Sequence, residues 1–341
     1  MTEKKRVTLK DIARELGISV STASRALNSY QGISEETIKL VKDYAEKHHY
    51  IPNSIAVNFR KNRTMTIGMI VPEVVHYYFS SIISGALHAA KKQGYRVLIS
   101  QTDEKLENEI HACHNMLAGN VDGILISISN ETEEVDHIQD FLDEGKAVVQ
   151  FDKYSEKLKS PIVTSDDLES AYRAVTHLIE KGYRKIAHIN GLANVRNSKD
   201  RLAGYHKALK EHELDFDPNW IPHCKDITEE EGFAFAKQLM ESSNPPDAIF
   251  CITDSVALGA MNYLKKAKIK VPEEVGVMGF SNWKISEVMT PSLSTVEQHG
   301  FEVGKMAAEI LLKATQNPNE ESTNQFTEIK SDLIIRESTQ K

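Results

Sequence analysis

From Thr66 onward the chain alternates short apolar runs with amphipathic stretches, and that alternation leaves few folds open to it. The runs "TIGMIV" (66–71), "YRVLIS" (95–100), "DGILISI" (122–128) and "AVVQF" (147–151) read as strands covered on both faces, the pattern of a parallel sheet. Amphipathic spacing predicts helices between them near 79–93, 104–118 and 133–143. A second series follows with "PIVTS", "KIAHIN", "DAIFCIT" and "EVGVMGF", separated by helices near 168–181, 199–212, 229–242 and 254–267. The expected fold is therefore α/β, two doubly wound parallel-sheet lobes with a break near 152–162. A helix near 299–316 between "STVEQ" and a last strand near 332–336 predicts that the chain returns to each lobe. This divides residues 64–341 into a first lobe of about 64–160 plus 297–325 and a second of about 161–292 plus 326–341.

The first 63 residues differ in kind. They hold 12 Lys and Arg against 7 Asp and Glu, a net of +5, while the rest hold 29 against 42, a net of -13. A basic arm on an acidic body points to a polyanion partner for the arm. Its sequence "DIARELGISVSTASRALNS" (11–29) predicts two short helices around a turn at Gly17, with Thr8 and Ser19 placed to cap them. On a helical wheel begun at Val20, Ala23, Ala26 and Leu27 share one side, and Ser21, Ser24 and Arg25 the other. A third helix near 35–47, opened by Ser34, would bury Ile38, Val41 and Ala45. Three such helices form a small all-α helix-turn-helix unit over 1–50, whose second helix admits close approach and offers one guanidinium to guanine O6 and N7. Double-stranded DNA is the expected partner. A hinge segment over 51–63, "IPNSIAVNFRKNR", spaces Ile55, Ala56 and Phe59 along one helical face and ends in Arg60, Lys61 and Arg63. So short a helix forms only against a partner, and Phe59 is placed to wedge into a minor-groove step.

Ligands of such α/β lobes sit beyond the carboxyl ends of the strands. The residues there are Phe79, then Asp152 with Lys153, Asp166, Asn197 with Ser198 and Arg201, Thr253 with Asp254, and Ser281, Asn282 and Trp283. Carboxylates, hydroxyls, one Arg fork and aromatic faces suit a polyhydroxylated or heteroaromatic small molecule. Asp254 and Asp166 can equally cap the helices that follow them, and Trp283 can pack on its own lobe.

Other classes of function are disfavoured. No apolar run nears the ~20 residues a membrane span needs, and the charged start does not read as a secretory signal, so a cytoplasmic protein without membrane contact is expected. Cys113, Cys224 and Cys251 are widely spaced and odd in number, which fits reduced thiols. His111, Cys113 and His114 lie inside a helical pattern with no fourth ligand in view, and no metal site is expected. After the first strand "GMIVPEVVHYYF" lacks G-x-G-x-x-G, so a nicotinamide cofactor is not expected. No nucleophile and base are arranged together, so neither catalysis nor any cofactor is expected. A periplasmic-type sugar-binding protein shares the two-lobe pattern but would have no helix-turn-helix.

The whole chain resembles the lactose-repressor/galactose-repressor (LacI/GalR) family of bacterial transcription regulators. "VTLKDIARELGISVSTASRALN" is similar to its DNA-binding signature, "YIPNSIAVNFR" to its hinge helix, "NSKDRLAGYHKAL" to its effector-site arginine segment, and "ITDSVALGAM" and "VMGFSN" to two later signatures. The resemblance implies a periplasmic-binding-protein-like effector unit and a homodimer on a near-palindromic operator, controlled by a small molecule between the lobes. It implies phosphate contacts from Thr8, Ser19, Ser24, Asn28 and Asn53, base reading by Val20, Ser21 and Arg25, and effector contacts from Phe79, Asp166 and Arg201. A sugar or sugar derivative is the expected effector, with a purine or a protein partner acting as corepressor the alternative. Two positions depart from the family pattern: Phe59 replaces the usual Leu of the hinge wedge, and Ser281 replaces the Asp that usually follows the aromatic of the cleft motif.

Overall fold

The structure is a computed structural model describing residues 7–50, 63–317 and 325–341. Asn53, Phe59 and nearly all of the expected hinge helix lie outside the described residues. The chain divides into two units, 1–64 and 65–341.

Among its described residues the small unit has three helices: α1 (Leu9–Glu15), α2 (Val20–Leu27) and α3 (Glu35–Lys47). Each begins where a short polar side chain satisfies a backbone N–H that the first turn leaves without a partner. Thr8 Oγ1 accepts from Asp11 N at 3.3 Å while the Asp11 carboxylate accepts from Thr8 N at 3.0 Å. Ser19 accepts from Thr22 N at 3.0 Å, and Ser34 from Thr37 N at 3.2 Å. Gly17 makes the turn between α1 and α2 at φ +65°, where a side chain would strain the backbone. Ile12, Ala13, Ala23, Ala26, Val41 and Ala45 form the core of this unit, so the apolar sides predicted for the second and third helices meet each other and α1.

Along the large unit run β1 (Thr66–Val71), α4 (Tyr77–Lys92), β2 (Arg96–Gln101), α5 (Leu106–Ala118), β3 (Gly123–Ile126), α6 (Asp136–Asp143), β4 (Ala147–Phe151) and β5 (Ile162–Ser165). Next come α7 (Asp167–Glu180), β6 (Ile186–Ile189), α8 (Arg196–Glu211), α9 (Glu229–Met240), β7 (Ala248–Cys251), α10 (Asp254–Lys266), β8 (Gly276–Met278) and α11 (Ile285–Val288). The chain ends with β9 (Thr295–Glu297), α12 (Gly300–Gln316), β10 (Phe326–Ile329) and β11 (Asp332–Ile334). One parallel sheet runs β10-β5-β4-β3-β1-β2 and a second runs β6-β7-β8, with β9 and β11 paired antiparallel beside it.

The lobe boundary differs from the expected one. β5, expected to open the second lobe, lies in the first sheet, where Gln150 pairs with Ile162 and Phe326 to Ile329 of β10 pair with Ile162 to Ser165. The first lobe therefore runs to Ser165 and takes in 326–329, both of which had been assigned to the second. Buried Gln150 explains the return. Its Nε2 donates to Ser155 O and Ser160 Oγ, at 3.2 and 3.1 Å, and its Oε1 accepts from Ser155 N at 2.8 Å. The segment read as an inter-lobe linker is thereby folded back on its own sheet. The chain crosses between lobes three times, at β5–α7, β9–α12 and β10–β11.

Helix α12 packs on α4 in the first lobe, and Val303, Ala307, Ala308, Leu311 and Leu312 join Ile82, Ala86, Ala89 and Ala90 in one core. A Cβ at Gly304 would overlap the backbone carbonyl of Ile82. Gly304→Ala should therefore lower stability by about 1–3 kcal/mol, because overpacking against backbone outweighs the ~1 kcal/mol gain in helix propensity. The urea midpoint of the variant reads this directly; an unchanged midpoint would mean the two helices separate freely. No helix among the described residues is long and apolar enough to cross a membrane.

Candidate functional site

The carboxyl ends of the strands in both lobes face a cavity of about 340 Å3. Phe79, Asp152, Asn197, Arg201, Thr253 and Ser281 line it, as the strand ends had suggested. Asp166 and Trp283 are not part of its wall.

Arg201 rises from the second turn of α8 and is almost wholly buried. Its Nε and Nη2 lie 2.9 and 2.8 Å from Asp167 Oδ1, its Nη1 donates to Ile252 O at 2.7 Å, and its plane covers the Phe280 ring at 3.8 Å. Such a fork, ion-paired on one edge and stacked on one face, holds its remaining N–H groups in fixed directions at the cavity. The carboxylate behind it is Asp167, at the start of α7, and not the neighbouring Asp166. Asp166 Oδ1 instead accepts from Ser170 Oγ at 2.7 Å and from Ser331 N at 2.8 Å, and its Oδ2 accepts from Arg173 at 3.3 Å. Asp166 therefore ties two of the inter-lobe crossings together.

Asp152 takes a left-handed backbone, φ 56°, at the end of β4. Its carboxylate is 4% exposed and accepts one long hydrogen bond, from Ser127 Oγ at 3.4 Å. Burial pushes this carboxyl up to about 7, against the pull of the neighbouring Lys153 ammonium. Lys153 itself is held by Glu104, with Nζ 2.5 Å from each oxygen, and donates to Asn130 Oδ1 at 2.8 Å. His76, just before α4, is kept neutral by burial, which lowers its pKa to about 4, and its Nδ1 has no partner. Ser198 Oγ is also buried without a partner. His76, Tyr78, Glu104, Asn130 and Gln298 belong to the wall and were not picked out from the sequence. His76 and Gln298 carry no local pattern that would mark them, whereas Asp167 stands beside Asp166 in "TSDDLES" and could have been weighed with it.

Ser281, in left-handed backbone at φ 104°, donates to Gln298 Oε1 at 2.9 Å. Gln298 Nε2 in turn donates to Ser165 Oγ at 3.1 Å, and that hydroxyl lies 3.0 Å from Tyr78 Oη. A neutral chain thus occupies the position where the family pattern has an acid. Thr253 caps α10 by accepting from Val256 N at 3.4 Å. Asp254 is neither cap nor wall. Its buried carboxylate accepts from Thr295 Oγ1 and Trp283 N, each at 2.6 Å, and from Ser286 Oγ at 2.8 Å, so it fixes the loop after β8 with Trp283 turned to the surface.

In the small unit, Val20, Ser21 and Arg25 are exposed on α2, Ser24 is half-buried, and Ala23 and Ala26 face the core. Asn28 ends the helix, with its Nδ2 donating to Ser24 O at 2.8 Å, while Thr8 and Ser19 serve as caps with exposed side chains. Ser19 and Ser21 thus stand exposed at the start of α2 and Arg25 on its outer face.

Comparison with known proteins agrees with this division. Residues 8–53 match the family described as bacterial regulatory proteins, lacI family, and residues 64–337 match periplasmic binding proteins and sugar binding domain of LacI family. The chain is 32% identical to HTH-type transcriptional repressor PurR of Vibrio atlanticus over 92% of its length and 93% of that protein. It is 30% identical to catabolite control protein A of Priestia megaterium, covering 98% of this chain and 99% of that one. NTD biosynthesis operon regulator NtdR of Bacillus subtilis is 31% identical, with 97% and 99% covered. In fold it matches the lac repressor dimer bound to operator and the anti-inducer ONPF, at TM-score 0.87 and 24% identity over 98% of this chain and 99% of that one. The helix-turn-helix, the two-lobed cleft and these full-length likenesses place the chain in the LacI family of bacterial regulatory proteins, as a DNA-binding transcriptional regulator and not an enzyme.

Proposed function

We propose that the chain works in the cytoplasm as a homodimeric repressor, reading a near-palindromic operator with α2 of each copy and changing its grip on DNA when a small molecule fills the cleft. The observation that carries the DNA-reading part is Arg25, an exposed guanidinium on the face of α2 opposite its core. Val20 and Ser21 beside it would complete base reading, with Thr8, Ser19, Ser24 and Asn28 on phosphates. Self-association is supported by the edge strand β2, which leaves Leu98 47% and Ile99 40% exposed. Relatives named as repressors and regulators support the control of transcription.

Arg25→Ala should weaken operator binding by about 1–3 kcal/mol while sparing most affinity for random DNA, the signature of a lost bidentate guanine contact. Titration of both DNAs at one salt concentration tests it. An equal loss on both would reduce Arg25 to a phosphate contact.

For the ligand we favour a polyol such as a sugar. The cavity volume suits a small molecule, and its wall mixes an Arg fork, hydroxyls of Ser198 and Thr253, the Asn197 amide and carboxylates. A purine is the second reading, favoured by the aromatic group of Phe79, Tyr78 and His76 at one end of α4, with Phe79 5.8 and 6.1 Å from the other two rings.

A further inference from the structure

The cavity wall is unevenly charged. It carries five carboxylates, Glu73, Asp103, Glu104, Asp152 and Asp226, against the three cations Lys153, Lys225 and Arg201. Two of those cations are already matched: Lys153 is held by both oxygens of Glu104, and Arg201 is paired with Asp167 just behind the wall. His76 supplies no positive charge, because burial keeps it neutral. What remains for a ligand is an excess of negative charge, of which the buried Asp152 is weakly screened while Glu73, Asp103 and Asp226 are exposed.

Within that space the polar groups without partners point to a specific kind of occupant. Asp152 is buried, yet among the described residues its carboxylate accepts only the 3.4 Å hydrogen bond from Ser127 Oγ. Ser198, 1% exposed, has a hydroxyl with no partner, and His76 has a ring nitrogen with none. A buried carboxylate left with one weak donor is costly unless something brings it more hydrogen bonds, and a positively charged donor suits it best. Phosphate or carboxylate on a ligand would instead face Asp152, Glu73 and Asp226, with Lys225 the one wall cation not matched to a carboxylate among the described residues.

We propose that the ligand carries a protonated amine and no anionic group: an amino sugar or comparable aminated polyol, with its ammonium on Asp152 and its hydroxyls reaching Ser198 and the Arg201 fork. The assignment rests on the reading of this cavity as the ligand cleft. Binding holds the Asp152 carboxylate ionised, so at neutral pH a proton leaves the protein as the ammonium docks.

The test uses the full-length chain and four matched forms of each of glucose, galactose and mannose: the 2-amino sugar, its N-acetyl derivative, the parent sugar and the amino sugar 6-phosphate. Hypoxanthine and guanine complete the panel. Thermal shift and calorimetry should show one amino sugar binding at least tenfold more tightly than its acetylated, hydroxyl and phosphorylated counterparts. Calorimetry at pH 7 in two buffers of different ionisation heat should show proton release. Asp152→Asn should erase the amine preference, so that the amino sugar and its parent sugar bind within about threefold of one another, and Glu73→Gln should reduce the preference without erasing it. Tighter binding of a phosphate, an acetamide, a plain sugar or a purine overturns the amine assignment and leaves the ligand cleft standing. An amine preference that survives intact in folded Asp152→Asn overturns it as well. If no compound of any class stabilises the protein, the cleft reading fails and the amine assignment falls with it.

Discussion

Arg201→Ala should cost the large unit about 3–5 kcal/mol of folding stability in addition to its ligand. The guanidinium and Asp167 are only 4% and 5% exposed and lie 2.8 Å apart. Removing one partner leaves the other charged in a place that cannot hydrate it. Burial already raises the Asp167 carboxyl despite the pull of Arg201, so the lost cation leaves burial unopposed. Ile252 O also loses its donor, and the Phe280 ring loses the plane that covered it. Lysine is a poor substitute, since it offers no fork to bridge Asp167 and Ile252 O at once. The diagnostic is the double variant Arg201→Ala with Asp167→Asn, which should recover about 1–3 kcal/mol by removing the stranded charge. Urea unfolding of the three proteins decides it. A wild-type midpoint for Arg201→Ala would show that the arginine is held for the ligand alone.

Asp152→Asn should act in the opposite direction, making the protein more stable in mild alkali. The Asp152 carboxyl titrates near 3.8 when unfolded and near 7 when folded, so the native state holds this proton more tightly than the unfolded one. Stability from the group is complete below about 4 and is lost as pH rises through 7. At pH 8 the folded protein carries a buried, poorly solvated carboxylate, and the distance from 3.8 to about 7 corresponds to as much as about 4 kcal/mol. The neutral amide removes that penalty, so the gain should be largest at pH 8 and vanish near pH 4. His76 titrates with the opposite sign: burial depresses it to about 4, so its contribution is full above 6.5 and lost as pH falls through 4. Comparison at pH 7 and 8 therefore isolates Asp152. Melting curves of both proteins across pH 4–8 check this, and parallel curves would show that Asp152 is solvated in the native state.

What could be read from the sequence was what local physics decides. Thr8 with Asp11, Ser19 and Ser34 announce helix starts through hydrogen bonds three residues long, and Gly17 announces a turn through its freedom at positive φ. Both make the small unit legible before its core is known. The apolar runs likewise located the strands of the large unit. Which sheet a strand joins is a different matter, because it depends on distant pairings. Ile162 sits beside Phe326 through pairings between distant strands, on a segment that the Gln150 amide helps to hold, and no periodicity contains that information. The cleft shows the same division. Arg201, Asp152 and Thr253 stand at strand or helix ends and were found by position. Asp167 displaced Asp166 through one step along a helix start, and Gln298 reaches the wall from a crossing segment.

The three crossings also set an order of completion during synthesis. The small unit is one continuous stretch and can close its core as soon as residue 50 or so has left the ribosome. The first lobe is encoded next, yet it closes only near the end of the chain, shortly before β11 completes the second: its core needs Val303, Ala307 and Leu311 of α12, and its sheet edge needs Phe326 to Ile329. Through most of translation β5 therefore waits with one side unpaired and α4 with its apolar face bare, the exposed edges that invite aggregation. A stop codon anywhere before residue 329 would leave a first lobe that never closes, attached to a small unit whose core residues are all present. Such a fragment keeps the surface of α2 and loses the body that was to govern it.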